Sequence, residues 1–183
     1  MPPGPVIETA RLLLRPPQAC DFDRYAALLD DAEASRFIGG RETRAGAWRR
    51  FLQMPGAWAL QGFAMFSVIG KSSGLWLGQA GPWRPEGWPG NEMGWSFHPD
   101  AWGRGYATEA ATAAMDWAFA ELGWDDVIHC IAPDNHASQR LAQRLGSRNL
   151  GPGRLPAPFA EARVDVWGQT RAQWLARPRP AGG

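Results

Sequence analysis

The chain has few cysteines, no long apolar run and almost no net charge. Its two cysteines, Cys20 and Cys130, lie in unrelated surroundings. No disulfide framework is therefore predicted, and a reducing cytoplasmic location is favoured. No apolar run approaches the ~18 residues of a membrane span, and residues 1–5 resemble no signal peptide. A net charge of +1 gives no electrostatic reason to expect a nucleic acid or membrane partner.

Metal ligands are also scarce. His129 and Cys130 are neighbours in an apolar run that predicts a strand, so their side chains should point to opposite faces. No metal site is therefore expected.

The length favours one domain with a sizeable core. At 183 residues, of which 45% are apolar and 20% charged, the composition is that of a soluble globular protein. We predict a single domain over residues 1–176. The Pro/Gly-rich stretch 177–183 predicts a disordered tail.

The most informative stretch runs from Ser96 to Ala110. Aromatic, extended residues lead to a Pro-Asp break, then to Gly103 and Gly105, then to an Ala-rich segment that predicts a helix. A glycine loop before a helix leaves main-chain N–H groups unpaired at the positive end of the helix dipole, which suits a phosphate or diphosphate. An ordinary loop turn is the alternative.

Two other nucleotide-binding motifs fit less well. A dinucleotide-binding fingerprint needs a third glycine where Thr108 stands. A P-loop could end at Gly70-Lys71-Ser72, but Met65 occupies the position of its first glycine.

Patterning predicts alternating strands and helices along the chain. Asp21 is expected to cap the first helix, and Pro55-Gly56 to end the second. Pro82 to Gly90 is predicted to be an irregular loop. The predicted strands are 11–15, 63–69, 75–81, 91–97, 126–131 and 162–168, and the predicted helices are 22–29, 44–54, 106–122, 136–145 and 170–176.

The strand before the glycine loop has two different faces. Alternation places Glu92, Gly94 and Ser96 on one face of the strand 91–97. A glycine inside a strand predicts a bulge or a close approach of another group, here at Gly94.

The segment Trp102 to Ala110 resembles the acyl-CoA-binding loop of the GNAT superfamily, the GCN5-related N-acetyltransferases. Gly105 and Ala107 match the last two fixed positions of that loop, whereas Trp102 replaces the usual first residue. A tryptophan there is similar to the branch that acetylates ribosomal-protein N-termini, together with its small-molecule relatives.

A second signature of the same family lies about thirty residues further on. Asn135, Ser138 and Gly146 fit it, while Ser147 replaces the usual phenylalanine. The opening Thr9-to-Pro16 stretch and the strand from Glu92 also resemble the branch.

The resemblance implies a mixed α/β fold. Its central sheet would be mostly antiparallel, with helices on both faces and two central strands splayed apart. A bulge at Gly94 would cause the splay, and the pantetheine arm would bind main-chain groups in the gap. The first two helices would cover the acceptor end of the cleft.

The implied function is acetyl-CoA-dependent N-acetyl transfer to a primary amine, by direct attack in a ternary complex. The acceptor would be a small-molecule amine or a protein N-terminus, and the protein a monomer or homodimer. The alternative is a non-catalytic acyl-CoA-binding domain of the same fold.

Two residues are predicted to be catalytic. Glu92 would act as the base through a water, and Ser138 as the acid, because Ala142 stands where many relatives have a tyrosine. Three of these residues also have a purely structural alternative. Glu92 could form an ion pair on the strand face, and Asn135 could cap the helix. Ser138 could be an ordinary residue of the first helical turn. His98 and His136 rank below Glu92. The predicted cofactor contacts are Trp95, Phe97, Trp102, Gly103, Arg104, Gly105, Tyr106, Ala107, Thr108, Asn135 and Ser138.

Overall fold

One mixed sheet forms the centre of the molecule. The computed structural model describes residues 4–178. The sheet contains β1 (Ile7–Glu8), β2 (Leu12–Arg15), β3 (Phe66–Gly70), β4 (Trp76–Trp83), β5 (Glu92–Phe97), β6 (Asp126–Ile131), β7 (Arg148–Gly153) and β8 (Val164–Thr170), in the order β1-β2-β3-β4-β5-β6-β8-β7. Only β5 and β6 pair in parallel. The predicted mixed, mostly antiparallel fold is confirmed.

Helices cover both faces of this sheet. They are α1 (Phe22–Asp30), α2 (Ala32–Ser35), α3 (Arg44–Phe51), α4 (Gln53–Gln61), α5 (Tyr106–Glu121), α6 (His136–Arg144) and α7 (Arg171–Ala176). On one face, the fully buried alanines Ala110, Ala111, Ala114 and Ala118 bring α5 close to the strands. On the other face, α1 and α3 bury an aromatic cluster around Tyr25, Phe51 and Trp76.

The two central strands part soon after they meet. Strand β4 pairs with β5 without interruption from Gly78–Phe97 to Trp83–Glu92. Strand β5 pairs with β6 only at Glu92–Ile128. Beyond that point β5 and β6 diverge and leave a wedge between them, which is the predicted splay.

The bulge predicted at Gly94 is wrong. The β4–β5 register runs through Gly94 without a shift. A register shift occurs instead in the pairing of β4 with β3, between Val68 and Ile69 of β3. A Cβ at Gly94 would lie 2.3 Å from Cε of Met65, so the flexible end of the Met65 side chain, which approaches the strand closely here, would have to move. The wedge therefore opens without a bulge at Gly94.

Two predicted boundaries are also wrong. A helix continues through Pro55-Gly56 and ends at Gly62, whose φ is +79°. Pro55 lies in the first turn of α4, where a main-chain N–H has no helical acceptor. Pro82 belongs to β4. Its main-chain nitrogen faces away from β5, and the residue lies beyond the end of β3, so no strand pairing requires an N–H at this position.

Asp21 does not cap α1 through its side chain, contrary to the prediction. Its buried carboxylate instead receives two hydrogen bonds from Arg15, at 2.7 and 2.8 Å, and one from Ser67 at 2.7 Å. It therefore joins α1 to the sheet. Although burial opposes it, these donors hold the pKa of Asp21 below its usual value.

Some features fall outside what the sequence indicated. The strands β1 and β7 were not predicted. Within residues 4–178, none of the helices has the length and apolar character that a membrane crossing requires. Of the predicted tail, residues 179–183 lie outside the described residues.

Candidate active site

The wedge exposes main-chain groups of β5. The His98 N–H donates to the Leu77 carbonyl at 2.9 Å, so alternate residues of the antiparallel pair bond to β4. Met93, Trp95 and Phe97 are the residues between, and their main-chain groups point towards β6. The Ile128 N–H reaches the Asn91 carbonyl at 2.9 Å, at the Glu92–Ile128 pair beyond which β6 diverges.

Aromatic side chains cap both ends of this exposed row. At the outer end, Nε1 of Trp102 donates to the Phe97 carbonyl at 2.8 Å. At the inner end, Nδ1 of His129 lies 2.7 Å from the Met93 carbonyl. Between them, the N–H and C=O of Trp95 point into the gap. An extended polar chain with amide groups, such as pantetheine, fits this arrangement of donor and acceptor.

Glu92 occupies the closed end of the wedge. One carboxylate oxygen accepts a bond from the Cys130 N–H at 3.1 Å, and the other accepts a bond from Nε1 of Trp88. The side chain is buried, and burial raises the pKa of Glu92 to about 7 although both donors lower it. A carboxyl group with this pKa is suited to exchange protons near neutral pH. Within residues 4–178, Glu92 does not form the ion pair on the strand face that was its alternative role.

Ser138 and Trp95 are in direct contact. Nε1 of Trp95 donates to Oγ of Ser138 at 3.2 Å, which brings two of the predicted site residues together across the wedge. Trp95 also packs against a small cluster that includes the fully buried Ala142. A larger side chain at 142 would compete with the Trp95 indole for this space.

Asn135 has the capping role that was its alternative reading. Its Oδ1 accepts a bond from the Ser138 N–H at 3.2 Å, at the start of α6. The Asn135 amide nitrogen remains able to donate to a ligand.

The glycine loop lies at the start of α5. Gly103 and Gly105 have φ values of +70° and +77°, so both need the left-handed region. The first helical bond runs from the Glu109 N–H to the Gly105 carbonyl, which leaves the N–H groups of residues 106–108 without a helical acceptor. A Cβ at Gly103 would meet nothing within 4 Å, so the loop is open to a ligand.

Arg11 supports this loop and was not predicted. Its Nη1 donates to the Arg104 carbonyl at 2.9 Å, and its Nε donates to Glu109 at 2.7 Å. Its guanidinium also lies 4.6 Å from the centre of the Tyr106 ring. A cation is thus held beside the main-chain N–H groups at the start of α5.

A cavity of about 1070 Å³ opens beside the wedge. It brings together Glu92, Trp95, Asn135 and Ser138, and its far wall comes from the α1–α4 region and from residues 155–164. Phe97 and the loop 102–108 lie outside this cavity. The predicted catalytic residues and the predicted phosphate contacts therefore occupy opposite ends of one cleft.

Of the remaining titratable candidates, the two histidines His98 and His136 do not line this cavity, whereas Cys130 does. His98 caps the short turn at Pro99–Ala101, and His136 is exposed next to Gln139. Burial raises the pKa of the Cys130 thiol, and the charge of Glu92 raises it further. The described residues contain no group of three or more His, Cys, Asp or Glu side chains placed to hold a metal.

Sequence reasoning also missed Trp88 and the buried role of His129. Trp88 lies in a loop rich in proline and glycine, where spacing gives no indication of the side chain's target. A weak signal for His129 was the serine at position 147, because the Ser147 hydroxyl lies 2.9 Å from Nε2 of His129.

The wedge between β5 and β6 and the glycine loop at the start of α5 are two features that the resemblance to the GNAT superfamily leads us to expect. The sequence profile of the acetyltransferase (GNAT) domain matches residues 11–148. The chain belongs to the GNAT acetyltransferase family. At that level, the predictions of the family and of the acyltransferase class are confirmed.

Relatives and solved structures agree with this assignment. The chain is 27% identical over 146 residues to the uncharacterized N-acetyltransferase p20 of Bacillus licheniformis, covering 78% of this chain and 82% of that one. It is similar to an acetyltransferase structure from Agrobacterium tumefaciens, with a TM-score of 0.79, 28% identity and coverage of 91% and 95%. It shares the fold of a ribosomal-protein-alanine acetyltransferase from Vibrio fischeri, with a TM-score of 0.70, 18% identity and coverage of 95% and 100%. The chain spans about half, or less, of the length of the first curated relatives that it matches.

Proposed function

We propose that this protein is an acetyl-CoA-dependent N-acetyltransferase in which a primary amine attacks the thioester directly in a ternary complex. The observation that carries this proposal is the position of Glu92. Its carboxylate has a pKa of about 7, faces the large cavity and lies at the end of a row of main-chain groups that leads towards the glycine loop. On this proposal, a base would lie at one end of the cleft and an anion site at the other.

Residues 103–108 would hold the diphosphate of acetyl-CoA. The unpaired N–H groups at the start of α5, the Thr108 hydroxyl and the Arg104 side chain can all donate to phosphate oxygens. Acetyl-CoA supplies the activated acyl group, and binding in this cleft would orient it. Orientation of two bound reactants can remove roughly 7–11 kcal/mol of barrier.

The Trp95 N–H would polarise the thioester carbonyl. It points into the wedge beside the end where Glu92 lies, and a fixed main-chain donor stabilises the oxyanion without reorganising during the reaction. Trp95 would therefore act through its backbone, while its indole holds Ser138.

Glu92 would take a proton from the amine through a water. An alkylamine has a pKa of ~10.4 and must lose a proton before it attacks, whereas an N-terminal amine needs less help, since its pKa is ~7.7–8.0. A carboxylate with a pKa of about 7 is a much better base than an exposed glutamate.

Ser138 would donate a proton to the departing thiolate. Its oxygen accepts the Trp95 indole N–H at 3.2 Å, so its own hydroxyl hydrogen is free to point elsewhere. Asn135, whose oxygen caps α6, would contact the cofactor arm through its amide nitrogen.

The acceptor would be a small-molecule amine or a protein N-terminus with an apolar portion. The lining of the cavity includes the aromatic side chains of Tyr25, Trp83, Trp88 and Phe159, and aromatic walls favour apolar groups. We further propose a cytoplasmic location and a monomer or homodimer, in keeping with the composition.

A Glu92→Gln variant tests the assignment. Glutamine keeps an oxygen for the Cys130 N–H but cannot accept a proton, so kcat should fall by ~10²–10⁴-fold. Release of free thiol would be followed with a panel of amines, and acetyl-CoA binding by calorimetry. Glu121→Gln, at the far end of α5, is the matched control and should keep wild-type turnover.

A non-catalytic acyl-CoA-binding protein is the second candidate. The fully buried Ala142, in place of the tyrosine that many relatives carry, favours it. In that case the wild type would bind acetyl-CoA yet release no thiol with any acceptor. Equal thiol release by the wild type and the Glu92→Gln variant would instead remove Glu92 from the chemistry.

A further inference from the structure

One ladder bond is missing at the point where the wedge opens. In a regular parallel pair, the next bond that β6 donates after Ile128 N–H to Asn91 carbonyl would run from the Cys130 N–H to the Met93 carbonyl. The Cys130 N–H donates instead to the Glu92 carboxylate at 3.1 Å. The Met93 carbonyl accepts instead from His129 at 2.7 Å. Two side chains thus satisfy the two main-chain groups that the open wedge separates.

The His129 ring is held in one protonation state by its partners. A carbonyl can only accept, so Nδ1 carries the proton and Nε2 of the neutral ring must accept. The Ser147 hydroxyl, 2.9 Å from Nε2, therefore donates to it. The Ser147 oxygen in turn accepts from Nε2 of Gln169 at 2.9 Å, and Gln169 also donates to the Leu145 carbonyl at 2.8 Å.

This chain of bonds is buried and fully paired. His129 is 1% exposed, Ser147 4% and Gln169 6%, so water cannot replace a lost partner. Burial lowers the pKa of His129 to about 4 although the bond to Met93 opposes this, which keeps the ring neutral at physiological pH. The ring also packs against the Trp95 indole, with 4.8 Å between ring centres.

We propose that His129 is a positioning residue that keeps the wedge open, by occupying the Met93 carbonyl that would otherwise re-pair with the Cys130 N–H. Ser147 and Gln169 fix the imidazole in the orientation that this bond requires. Ser147 is therefore the partner of His129, which gives a physical reason for a serine where relatives carry phenylalanine. The proposal rests on the proposed function in one respect, namely that the acyl-CoA arm enters this wedge.

Loss of the imidazole should close the inner end of the wedge. The Met93 carbonyl would then lack a partner, and the nearest main-chain donor is the Cys130 N–H, which can leave the Glu92 carboxylate to form the direct ladder bond. Strand β6 would then approach β5 next to Trp95, and the main-chain groups of Trp95 would be less accessible to a ligand.

Three variants of the full chain test this proposal. His129→Leu removes both ring bonds, whereas His129→Asn can keep a donor near the Nδ1 position for the Met93 carbonyl. Ser147→Ala removes only the donor to Nε2. Thermal unfolding identifies the folded variants, calorimetry gives the Kd for acetyl-CoA, and steady-state kinetics separate KM from kcat.

We expect His129→Leu to raise the Kd and KM for acetyl-CoA tenfold or more, with kcat at saturation within threefold of wild type. His129→Asn should recover most of the affinity, and Ser147→Ala should weaken binding three- to tenfold. Wild-type affinity in a folded His129→Leu variant would overturn the proposal. So would an equal loss in His129→Leu and His129→Asn, because bonding to Met93 would then be irrelevant. If His129→Leu does not fold, wild-type affinity in Ser147→Ala overturns it.

A measurement without ligand separates this proposal from the proposed function. Amide hydrogen exchange at Trp95 should be fast in the wild type and slower in His129→Leu, or in Ser147→Ala if His129→Leu does not fold, because β6 approaches. Failure of the wild type to bind acetyl-CoA would overturn the proposed function, and with it the entry of the acyl-CoA arm into this wedge. An unchanged exchange rate of the Trp95 amide would overturn the proposal that His129 keeps the wedge open, whichever ligand the wedge binds.

Discussion

The two ends of the cleft are built in different ways. At the start of α5, the candidate phosphate site consists of main-chain N–H groups, and glycines with φ of +70° and +77° set its shape. The closed end of the wedge instead depends on buried side chains: Glu92, the proposed base, and His129, which only positions the strands, each replace a lost main-chain partner. The first end is specified within a few residues of sequence, whereas the second depends on strands that meet only in the folded chain.

The largest predicted effect concerns stability at the closed end of the wedge. Burial raises the pKa of Glu92 to about 7 from 4.5 and lowers that of His129 to about 4 from 6.5. For Glu92, the folded state holds the extra proton between pH 4.5 and 7, so the free energy of unfolding falls as pH rises. For His129, the unfolded state holds the extra proton between pH 4 and 6.5, so the free energy rises with pH.

These two contributions cancel between pH 4.5 and 6.5 in the wild type. In His129→Asn, the free energy of unfolding should fall by about 3 kcal/mol from pH 4.5 to 7. In Glu92→Gln, it should rise by about 3 kcal/mol from pH 4 to 6.5. Urea unfolding at a series of pH values measures both slopes. Profiles parallel to that of the wild type would show that the two groups are not buried as described.

The next effect concerns the glycine loop. Gly105→Ala forces a side chain into a left-handed conformation, at a cost of about 1–2 kcal/mol, and displaces the N–H groups that follow. The affinity for acetyl-CoA should fall about tenfold or more by calorimetry, with kcat at saturation little changed.

Gly123→Ala is the matched control for that substitution. Gly123 lies at the other end of α5 with φ of +64°, and nothing lies within 4 Å of a Cβ there. This variant should lose similar stability yet bind acetyl-CoA normally. An equal loss of affinity in both variants would mean that α5 stability, rather than the loop itself, controls binding.

The smallest effect is the pH dependence of turnover. Because Glu92 has a pKa of about 7 and must be ionised to act as a base, kcat should fall as pH decreases, to about one tenth of its plateau at pH 6. Saturating acetyl-CoA and two amines of different pKa would be used. An inflection that moves with the pKa of the amine, instead of staying near 7, would argue against Glu92.

The glycine turn and the start of α5 could be predicted from the sequence because the signal there is local. Gly103, Gly105 and the alanines of α5 determine a turn, a helix start and close packing within one short segment. The sequence-based order of strands and helices was also correct over most of the chain, since alternation and capping act locally.

Only part of the closed end of the wedge could be predicted from the sequence. Glu92 could be proposed from its place in a strand, but its partners Trp88 and Cys130 depend on a loop and on a second strand. The bond between His129 and Ser147 joins residues 18 apart, and no periodicity links them. The boundaries predicted at Pro55 and Pro82 were wrong for a similar reason. The missing N–H of a proline interrupts a helix or strand only where that N–H would have had an acceptor, and this depends on the folded chain.

The two thiols differ as much as the two ends of the cleft. Cys20 is exposed, whereas Cys130 is partly buried and its thiol pKa is raised, so that it stays protonated. A maleimide dye should therefore attach to Cys20 alone, beside α1, without prior mutagenesis. The natural chain thus offers a single fluorescent label next to α1, the helix whose Tyr25 lines the large cavity.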